Sequence, residues 1–197
     1  DVGGATTDLH SVTDGSDEIS RILISPEPKA KRTVEGDLGV YVNILNIIEL
    51  IGKETLEAEL GFPVDPVLET YKAIPKTEQE FKLVERMTEE AVVKSVERHA
   101  GRLRYIYGSS GKTTLAEGKD LTAIRHIVGT GGALTRLPHR VEILKKSCMN
   151  NQKGELLVPK VHAEILIDND YIMASLGVLS KVYPEAALAL MKRSLAM

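Results

Sequence analysis

Apolar residues recur with the spacing of a helix along the middle of the chain. In the stretch TEQEFKLVERMTEEAVVKSVERHAG they return every three or four positions, at Phe81, Val84, Met87 and Ala91. This period places them on one side of a helix, which we expect to face a core. Thr77 and Glu80 have the form of a capping box, and Gly101 follows the last turn. We therefore predict a long helix between Thr77 and Gly101.

Shorter patterned stretches precede this helix. The apolar positions of residues 36–51 predict a helix that Gly52 ends, and residues 53–60 predict a second one. The stretch LHSV and residues 18–25 are rich in aliphatic and β-branched residues, and the polar turn TDGSD separates them. This pattern predicts a β-hairpin. The two prolines of SPEPKAKR predict a break in regular structure after it.

Strands and helices alternate in the second half of the chain. LRYIYGS, the apolar run through Ile127 and Val128, and AEILID predict strands. NDYIMASLGVLSKVY and PEAALALMKRSLA predict two closing helices, the second beginning at Pro184, a residue favoured in a first helical turn. Elements in this order predict one α/β lobe rather than separate domains.

Charge and composition narrow the class of protein. The 25 Lys and Arg residues are outnumbered by 28 Asp and Glu residues. A basic nucleic-acid surface is therefore not expected, and we interpret the cluster of Lys29, Lys31 and Arg32 as a solvated loop. Cys148 is the single cysteine, which excludes a disulfide framework. No apolar run approaches the roughly 18–20 residues that span a bilayer. We predict a cytoplasmic protein that binds neither nucleic acid nor membrane.

The stretch GSSGKTT at residues 108–114 has the look of a Walker A phosphate loop. The full pattern requires a glycine five positions before Gly111, where this chain has Ile106. The following LAEGKD is also a poor start for the long helix that such a loop opens. We therefore predict a surface turn.

The opening stretch DVGGATTD concentrates residues that suit phosphate chemistry. Gly3 and Gly4 let a backbone approach an anion and can adopt positive φ, and consecutive N–H groups in such a turn form an anion-binding nest. Thr6 and Thr7 add hydroxyl groups. The carboxylates at the two ends, Asp1 and Asp8, could hold a hydrated Mg²⁺. The alternative is an ordinary β-hairpin turn, and this stretch alone leaves both open.

A second glycine-rich turn, GTGGALTRLP, occupies residues 129–138. A buried strand ends at Val128, three glycines follow within four residues, and a helix is expected from about Ala133 until Pro138 disturbs it. Such a turn places helix N-terminal N–H groups beside a phosphate or a flat nucleoside. A plain strand-to-helix turn is the alternative. Two such turns in one lobe could face one nucleotide from the same side.

These two turns resemble a known superfamily. DVGGATTD resembles the second phosphate loop of the actin–Hsp70–sugar kinase ATPases, and IVGTGGALTRLP resembles their adenosine loop. The resemblance implies the second lobe of an actin/Hsp70-like, ribonuclease-H-like ATPase fold, a mixed sheet flanked by helices. Residues 1–197 would be a single C-terminal lobe with a helical insertion at about 36–100 and closing helices at 170–196. The first phosphate loop would belong to an N-terminal lobe outside this sequence.

A narrower resemblance is to the MutL/GlmL family, which is encoded beside glutamate mutase and is unrelated to the mismatch-repair protein of that name. It is carried by DVGGATTDLHSV, RTVEGDLGV, GTGGALTRLP and DNDYIMASLGVLSKVYPEAALALMKRSL. It implies the ATP-binding lobe of a chaperone-like ATPase that reactivates adenosylcobalamin-dependent glutamate mutase or a related cobalamin-dependent mutase. ATP or ADP and Mg²⁺ would be its cofactors. Hydrolysis would require the N-terminal lobe.

The resemblance also assigns roles to residues. Asp1 would hold Mg²⁺ through water, and Asp8 would lie near the metal or the attacking water; these two are the expected catalytic residues. The phosphate contacts would come from Gly3, Gly4 and Thr6, and the adenosine contacts from Gly131, Gly132 and Ala133. Further expected cofactor-binding residues are Thr7, Gly129 and Thr130.

Three residues of the recognised segments need separate comment. Ala5 stands where many relatives have a third glycine, and its methyl group could restrict the loop. Glu35 and Asp37 could contact nucleotide, or could interact favourably with the N-terminus of the helix expected after them.

Two other functions stay open at this stage: a small-molecule kinase of the same superfamily, and a scaffold that binds nucleotide without turnover. The histidines show no spacing typical of a metal site; they are His10, His99, His126, His139 and His162. We therefore predict no zinc, no histidine-based nucleophile and no direct binding of cobalamin. A lone lobe should fold, bind ATP poorly and self-associate through an exposed cleft face.

Overall fold

The computed structural model describes residues 1–109, 111–149, 151 and 154–197. Within them the chain is mixed α/β. Its strands are β1 (Thr7–Val12), β2 (Ala30–Glu35), β3 (Arg102–Gly108), β4 (Gly111–Glu117), β5 (His126–Gly129) and β6 (Glu164–Ile167). Its helices are α1 (Asp17–Ser20), α2 (Ile44–Ile51), α3 (Lys53–Leu60), α4 (Asp65–Thr70), α5 (Glu78–His99), α6 (Gly131–Arg136), α7 (Arg140–Met149), α8 (Met173–Leu179) and α9 (Pro184–Ser194).

The described strands form three two-stranded sheets. β1 pairs with β2 antiparallel, with Thr7 opposite Glu35. β3 and β4 form an antiparallel hairpin. β5 and β6 are parallel, with His126 opposite Glu164. Whether these sheets belong to the actin/Hsp70-like lobe stays a prediction.

Helix α5 is the central element of the core, as its apolar stripe predicted. The Thr77 hydroxyl accepts a hydrogen bond from the Glu80 amide (3.2 Å), and the Glu80 carboxylate accepts one from the Thr77 amide (3.0 Å). The predicted capping box is therefore confirmed. The buried side chains of α5 pack with those of α2, α6 and α7; they include Leu83, Val84, Met87, Ala91 and Val92.

The hairpin predicted for residues 18–25 is wrong. The Ser16 hydroxyl caps helix α1 by accepting the Ile19 amide, and two acidic residues follow in its first turn. The partner of β1 is instead β2, where alternate residues are half-buried. Lys31 and Arg32 therefore lie in a strand, so the prediction of a solvated loop for this basic cluster is wrong for these two residues and is confirmed for the exposed Lys29.

The helix predicted for residues 36–51 begins only at Ile44. The amides of Val40, Tyr41 and Val42 donate to the carbonyl groups of Gly3 and Gly4 instead of to an earlier helical turn. Hydrogen bonds to the opening stretch thus replace helical hydrogen bonds in residues 36–43.

The stretch GSSGKTT joins β3 to β4, with Gly108 opposite Gly111. The prediction of a surface turn is confirmed at Ser109 but is wrong for residues 111–114, which belong to β4. Ser110 of this stretch lies outside the described residues. Lys112 has its ammonium 3.6 Å from the centre of the Tyr105 ring. In the described part of the chain, no helix is both long and apolar enough to cross a membrane.

Candidate functional site

The opening stretch folds into a tight hairpin. Asp1 and Asp8 exchange two backbone hydrogen bonds, of 2.9 and 2.8 Å. Closer to the tip, the Gly3 amide donates to the Thr6 carbonyl (2.9 Å). The two carboxylate residues are therefore neighbours at the base of the hairpin, as a shared site would require.

The tip of this hairpin presents consecutive free amides. The N–H groups of Gly4, Ala5 and Thr6 have no hydrogen-bond partner among the described residues, and Gly4 and Ala5 are exposed. Consecutive N–H groups that converge in a turn form an anion-binding nest. Neither Gly3 nor Gly4 adopts positive φ, so the conformational freedom proposed for them is not used. Ala5 has no positive φ either, and its methyl group therefore imposes no backbone strain.

Residues 36–43 hold the tip in this orientation. They bond to the carbonyl groups of Gly3, Gly4 and Ala5, so the carbonyls point inward. The Asn43 side-chain amide donates both to Ala5 O (2.7 Å) and to Gly36 O (2.8 Å). A side chain at Gly39 would overlap the backbone of Ala5. This clamp supplies donors to the tip carbonyls and leaves the Gly4, Ala5 and Thr6 amides without a partner among the described residues.

The second glycine turn contacts the base of the hairpin directly. The Val2 amide donates to the Thr130 carbonyl (3.1 Å), and the Ala133 amide donates to the Val2 carbonyl (3.4 Å). Gly131 has φ +90°, and a Cβ atom there would lie 2.5 Å from Val2 O. The structure thus brings together the two turns that the sequence singled out.

The three glycines of the second turn differ in what they do. A Cβ at Gly129 would lie 2.5 Å from Leu144 Cδ1, so this glycine permits packing. Gly131 permits the close approach of Val2. Gly132 is exposed with nothing within 4 Å, so it is the one whose surface is open to a ligand. Helix α6 begins at Gly131, two residues before the predicted start at Ala133.

Asp168, which the sequence analysis did not identify, holds this turn in place by a hydrogen bond. Its fully buried carboxylate accepts hydrogen bonds from the hydroxyls of Thr130 (2.9 Å) and Ser194 (2.7 Å). It also accepts hydrogen bonds from the backbone amides of Ile172 (3.2 Å) and Met173 (2.9 Å) at the N-terminal end of α8. Burial would raise the pKa of Asp168, but these four donors outweigh burial and lower it. The Thr130 hydroxyl is therefore engaged within the protein and not directed at a ligand.

Two further predicted site residues have partners within the protein. The Asp8 carboxylate accepts two hydrogen bonds from the Arg32 guanidinium (2.6 and 3.0 Å) and one from the Thr6 hydroxyl (3.2 Å). The buried Thr7 hydroxyl donates to Leu38 O (2.7 Å). By contrast, the Asp1 carboxylate has no such partner among the described residues.

Glu35 and Asp37 do not act on a helix N-terminus, because the next helix begins only at Ile44. Both bond the Arg98 guanidinium, at 2.7 and 2.8 Å. The hydrogen bonds from Arg98 lower the pKa of Asp37. These carboxylates fasten the C-terminal end of α5 to the segment that holds the hairpin tip.

The histidines are scattered over the fold. His126 lies 3.3 Å from the Glu164 carboxylate, and His139 lies 2.9 Å from that of Glu85. His99 is fully buried, with Nε2 2.7 Å from Ser11 Oγ and Nδ1 2.9 Å from Thr33 Oγ1. Within residues 1–109, 111–149, 151 and 154–197, no group of three or more His, Cys, Asp or Glu residues could hold a metal ion. A Mg²⁺ ion bound mainly by water, phosphate and a single carboxylate remains compatible with Asp1.

The buried His99 should make the protein sensitive to mild acid. Burial, with the charges of Lys31 and Lys119, lowers its pKa from 6.5 to about 4. As the pH falls, His99 takes up its proton in the unfolded chain before it does so in the folded protein. The contribution of neutral His99 to stability is therefore complete above pH 6.5 and is lost as the pH falls toward 4. We expect a loss of up to roughly 3 kcal/mol across this range.

The measurement is urea unfolding at several pH values for the unmodified chain and for His99→Gln. Glutamine can bond both Ser11 and Thr33 but does not titrate, so the variant should lose this part of the pH dependence. An identical pH dependence in both proteins would show that His99 is not the responsible group.

The fold and the site define a mixed α/β protein in which a glycine-containing hairpin, with amides at its tip that lack a partner among the described residues, contacts a second glycine turn at its base. The family model described as MutL protein matches residues 1–195. The curated relative "Protein MutL" of Clostridium tetanomorphum is 35% identical over 204 residues, which cover 99% of this chain and 44% of the relative. No solved structure matches the chain. The chain therefore belongs to the MutL family, as the resemblance predicted, and spans less than half the length of that relative.

Proposed function

We propose that this chain is the nucleotide-binding lobe of a chaperone-like ATPase that reactivates a cobalamin-dependent mutase, with glutamate mutase as the first candidate. The nucleotide-binding part of this proposal rests on the structure of the hairpin tip. Its free amides at Gly4, Ala5 and Thr6 lie on a loop whose base contacts the second glycine turn. The mutase part rests on membership of the MutL family and on the resemblance described above.

The proposed chemistry is positional. The three tip amides would bind the β- and γ-phosphate oxygens, and Gly132 would leave a flat surface for the nucleoside. The Asp1 carboxylate, without an internal partner among the described residues, would accept hydrogen bonds from water around Mg²⁺. That ion would neutralise the charge that develops on the phosphates. The Arg32 pair holds the Asp8 carboxylate at the base of the hairpin, where it would orient an attacking water.

The test is a titration followed by the backbone amide NMR signals of this chain. MgATP at roughly 10 mM should shift the signals of Gly4, Ala5, Thr6 and Gly132, because a lone lobe is expected to bind in the millimolar range. Adenosine should shift Gly132 and Ala133 but leave the tip unchanged. This contrast separates the phosphate contacts from the nucleoside contacts.

Two substitutions at one exposed position test whether the Ala5 N–H group contributes to binding. Ala5→Pro removes one of the three N–H groups, and Ala5→Ser keeps it. We expect about a tenfold weaker affinity in the proline variant only, the worth of one hydrogen bond to a charged group. Shifts that spread evenly over the protein, or that are equal in both variants, would contradict the proposal.

Turnover is measured on the whole relative from Clostridium tetanomorphum, incubated with ATP in the presence and absence of inactivated glutamate mutase. The proposal predicts release of phosphate that the mutase accelerates, together with recovered mutase activity. Transfer of phosphate to a small molecule would favour a kinase instead. Nucleotide binding without phosphate release would favour a scaffold.

A further inference from the structure

Three consecutive peptide groups form the tip of the opening hairpin, and they run from Gly3 to Thr6. The N–H group of each one, at Gly4, Ala5 and Thr6, has no hydrogen-bond partner among the described residues. The carbonyl group of each one accepts a hydrogen bond from residues 40–43. The same three peptide groups therefore have the proposed anion site on one side and a second segment of the chain on the other.

Every residue of this second segment contributes one donor to the tip. The bonds are Val40 N to Gly3 O (3.2 Å), Tyr41 N and Val42 N to Gly4 O (2.9 and 2.7 Å), and Asn43 Nδ2 to Ala5 O (2.7 Å). A trans peptide group is planar, so its N–H points away from its carbonyl oxygen. Donors that hold the three carbonyl groups therefore also fix the direction of the three free N–H groups.

An anion at the tip would complete a chain of hydrogen bonds through each of these peptide groups. In each chain, residues 40–43 donate to the carbonyl oxygen, and the N–H of the same peptide group donates to the anion. Hydrogen bonds in such a chain polarise and strengthen one another. A negative charge on the N–H side therefore makes each carbonyl oxygen a better acceptor and stabilises its contact with residues 40–43.

The strength of these bonds matters because the outer part of the segment has little other support. The Val42 side chain is 67% exposed, so its burial contributes little to holding residues 41–43 in place. The earlier part is held separately, since the buried Thr7 hydroxyl donates to Leu38 O at 2.7 Å. Stronger bonds to the tip should therefore order residues 41–43 in particular.

Asn43 links the tip to a more distant part of the fold. Its side-chain amide, which bonds the last tip carbonyl group, also donates to Gly36 O at 2.8 Å. Gly36 lies between Glu35 and Asp37. Both of these carboxylates bond the Arg98 guanidinium at the C-terminal end of α5. One asparagine side chain thus connects the tip to residues that are fastened to the central helix.

We propose that residues 40–43 are a phosphate sensor for the hairpin tip, with Asn43 as the positioning residue that links the tip to residues 35–37. The proposal rests on the proposed binding of nucleotide phosphates by the tip amides. Phosphate on these amides strengthens the bonds to residues 40–43, and its release weakens them together. Because such coupling is reciprocal, a substitution that weakens the contact of the sensor with the tip also weakens the binding of phosphate.

The test is amide hydrogen exchange of this chain with and without roughly 10 mM MgATP. A ligand that binds only the closed segment slows exchange by one plus the ratio of its concentration to Kd, about tenfold for a millimolar Kd. We expect this slowing at Val40, Tyr41 and Val42, and none with adenosine at the same concentration. The Ala187 amide bonds Tyr183 in α9 and should be unaffected by either ligand.

Asn43→Ala separates the sensor from the anion site itself. It removes the bonds to Ala5 O and Gly36 O but none of the three tip N–H groups. We expect MgATP to bind about three- to tenfold more weakly, the worth of one neutral hydrogen bond. The guanidinium NMR signal of Arg98 should shift with MgATP in the unmodified chain and stay unchanged in this variant.

Asn46→Ala is the matched control for this substitution. Asn46 is exposed in α2, three residues further along, and its side chain has no hydrogen-bond partner among the described residues. This variant should bind MgATP as the unmodified chain does and keep the shift of the Arg98 signal.

The measurements distinguish failure of the sensor from failure of nucleotide binding. If MgATP shifts the tip signals but leaves exchange at Val40, Tyr41 and Val42 unchanged, the sensor is wrong and the proposed binding stands. If the tip signals do not shift, both proposals are wrong. Equal affinities of Asn43→Ala and Asn46→Ala for MgATP would overturn the role of Asn43.

Discussion

Replacement of Gly131 by alanine is expected to lower the free energy of unfolding by roughly 3–5 kcal/mol. Part of the loss is backbone strain, because φ at this residue is +90° and a side chain there costs about 1–2 kcal/mol. The larger part is overlap, since the new Cβ would lie 2.5 Å from Val2 O and 2.6 Å from Val2 N. Val2 cannot move aside easily, because both of these atoms bond to the same turn.

The matched control is Gly132→Ala, one residue further along. No atom lies within 4 Å of the added methyl group, and φ is not positive there. Alanine also favours a helix over glycine by about 1 kcal/mol, so this variant should be neutral or slightly more stable. Urea unfolding of both variants measures the difference. Equal stabilities would show that the contact between the two turns is not tight.

Patterns that are local in the sequence were predicted well. The Thr77 capping box and the apolar stripe after it define α5, and they need only neighbours within the same helix. The strand that ends at Gly129, the glycine turn and the helix after it were also expected in that order. Such elements depend on period and on turn residues, both of which one sequence displays.

Elements that depend on distant contacts were not predictable in the same way. Residues 36–43 have the apolar content of a helix, but the amides of Val40, Tyr41 and Val42 bond to Gly3 and Gly4, more than thirty positions earlier. Residues 18–25 have the composition of a strand, yet β1 pairs with Ala30–Glu35 instead. Tertiary pairing overrides local propensity in both segments.

The candidate site shows the same division. Glycines and free amides could be located from the sequence, since they belong to short continuous stretches. The residues that hold these groups in place could not be located in this way. Arg32 of β2 bonds Asp8 of β1, and Asp168, directly after β6, bonds Thr130, directly after β5. An acidic residue directly after a buried strand was the one available sign for Asp168, and it does not identify what the carboxylate binds.

Replacement of Asp168 by alanine is expected to cost about 3–5 kcal/mol, comparable to the Gly131 substitution. The buried carboxylate holds four donors at once, from Thr130, Ile172, Met173 and Ser194. Alanine would leave these donors buried without an acceptor, which costs more than the bonds themselves contribute. The second glycine turn, the start of α8 and the end of α9 should therefore loosen together. Hydrogen exchange should report faster opening in all three regions.

Asp170→Ala is the control, because this neighbouring carboxylate is exposed and its side chain has no hydrogen-bond partner among the described residues. It should change the free energy of unfolding by less than about 0.5 kcal/mol. Asp168→Asn keeps the shape but has one acceptor oxygen instead of two, so it should fall between the other two variants. The pKa of Asp168 is lowered in the folded protein, so the unmodified chain should lose stability relative to Asp168→Asn as the solution becomes strongly acidic. Equal stability of Asp168→Ala and Asp170→Ala would mean that the carboxylate does not hold these segments together.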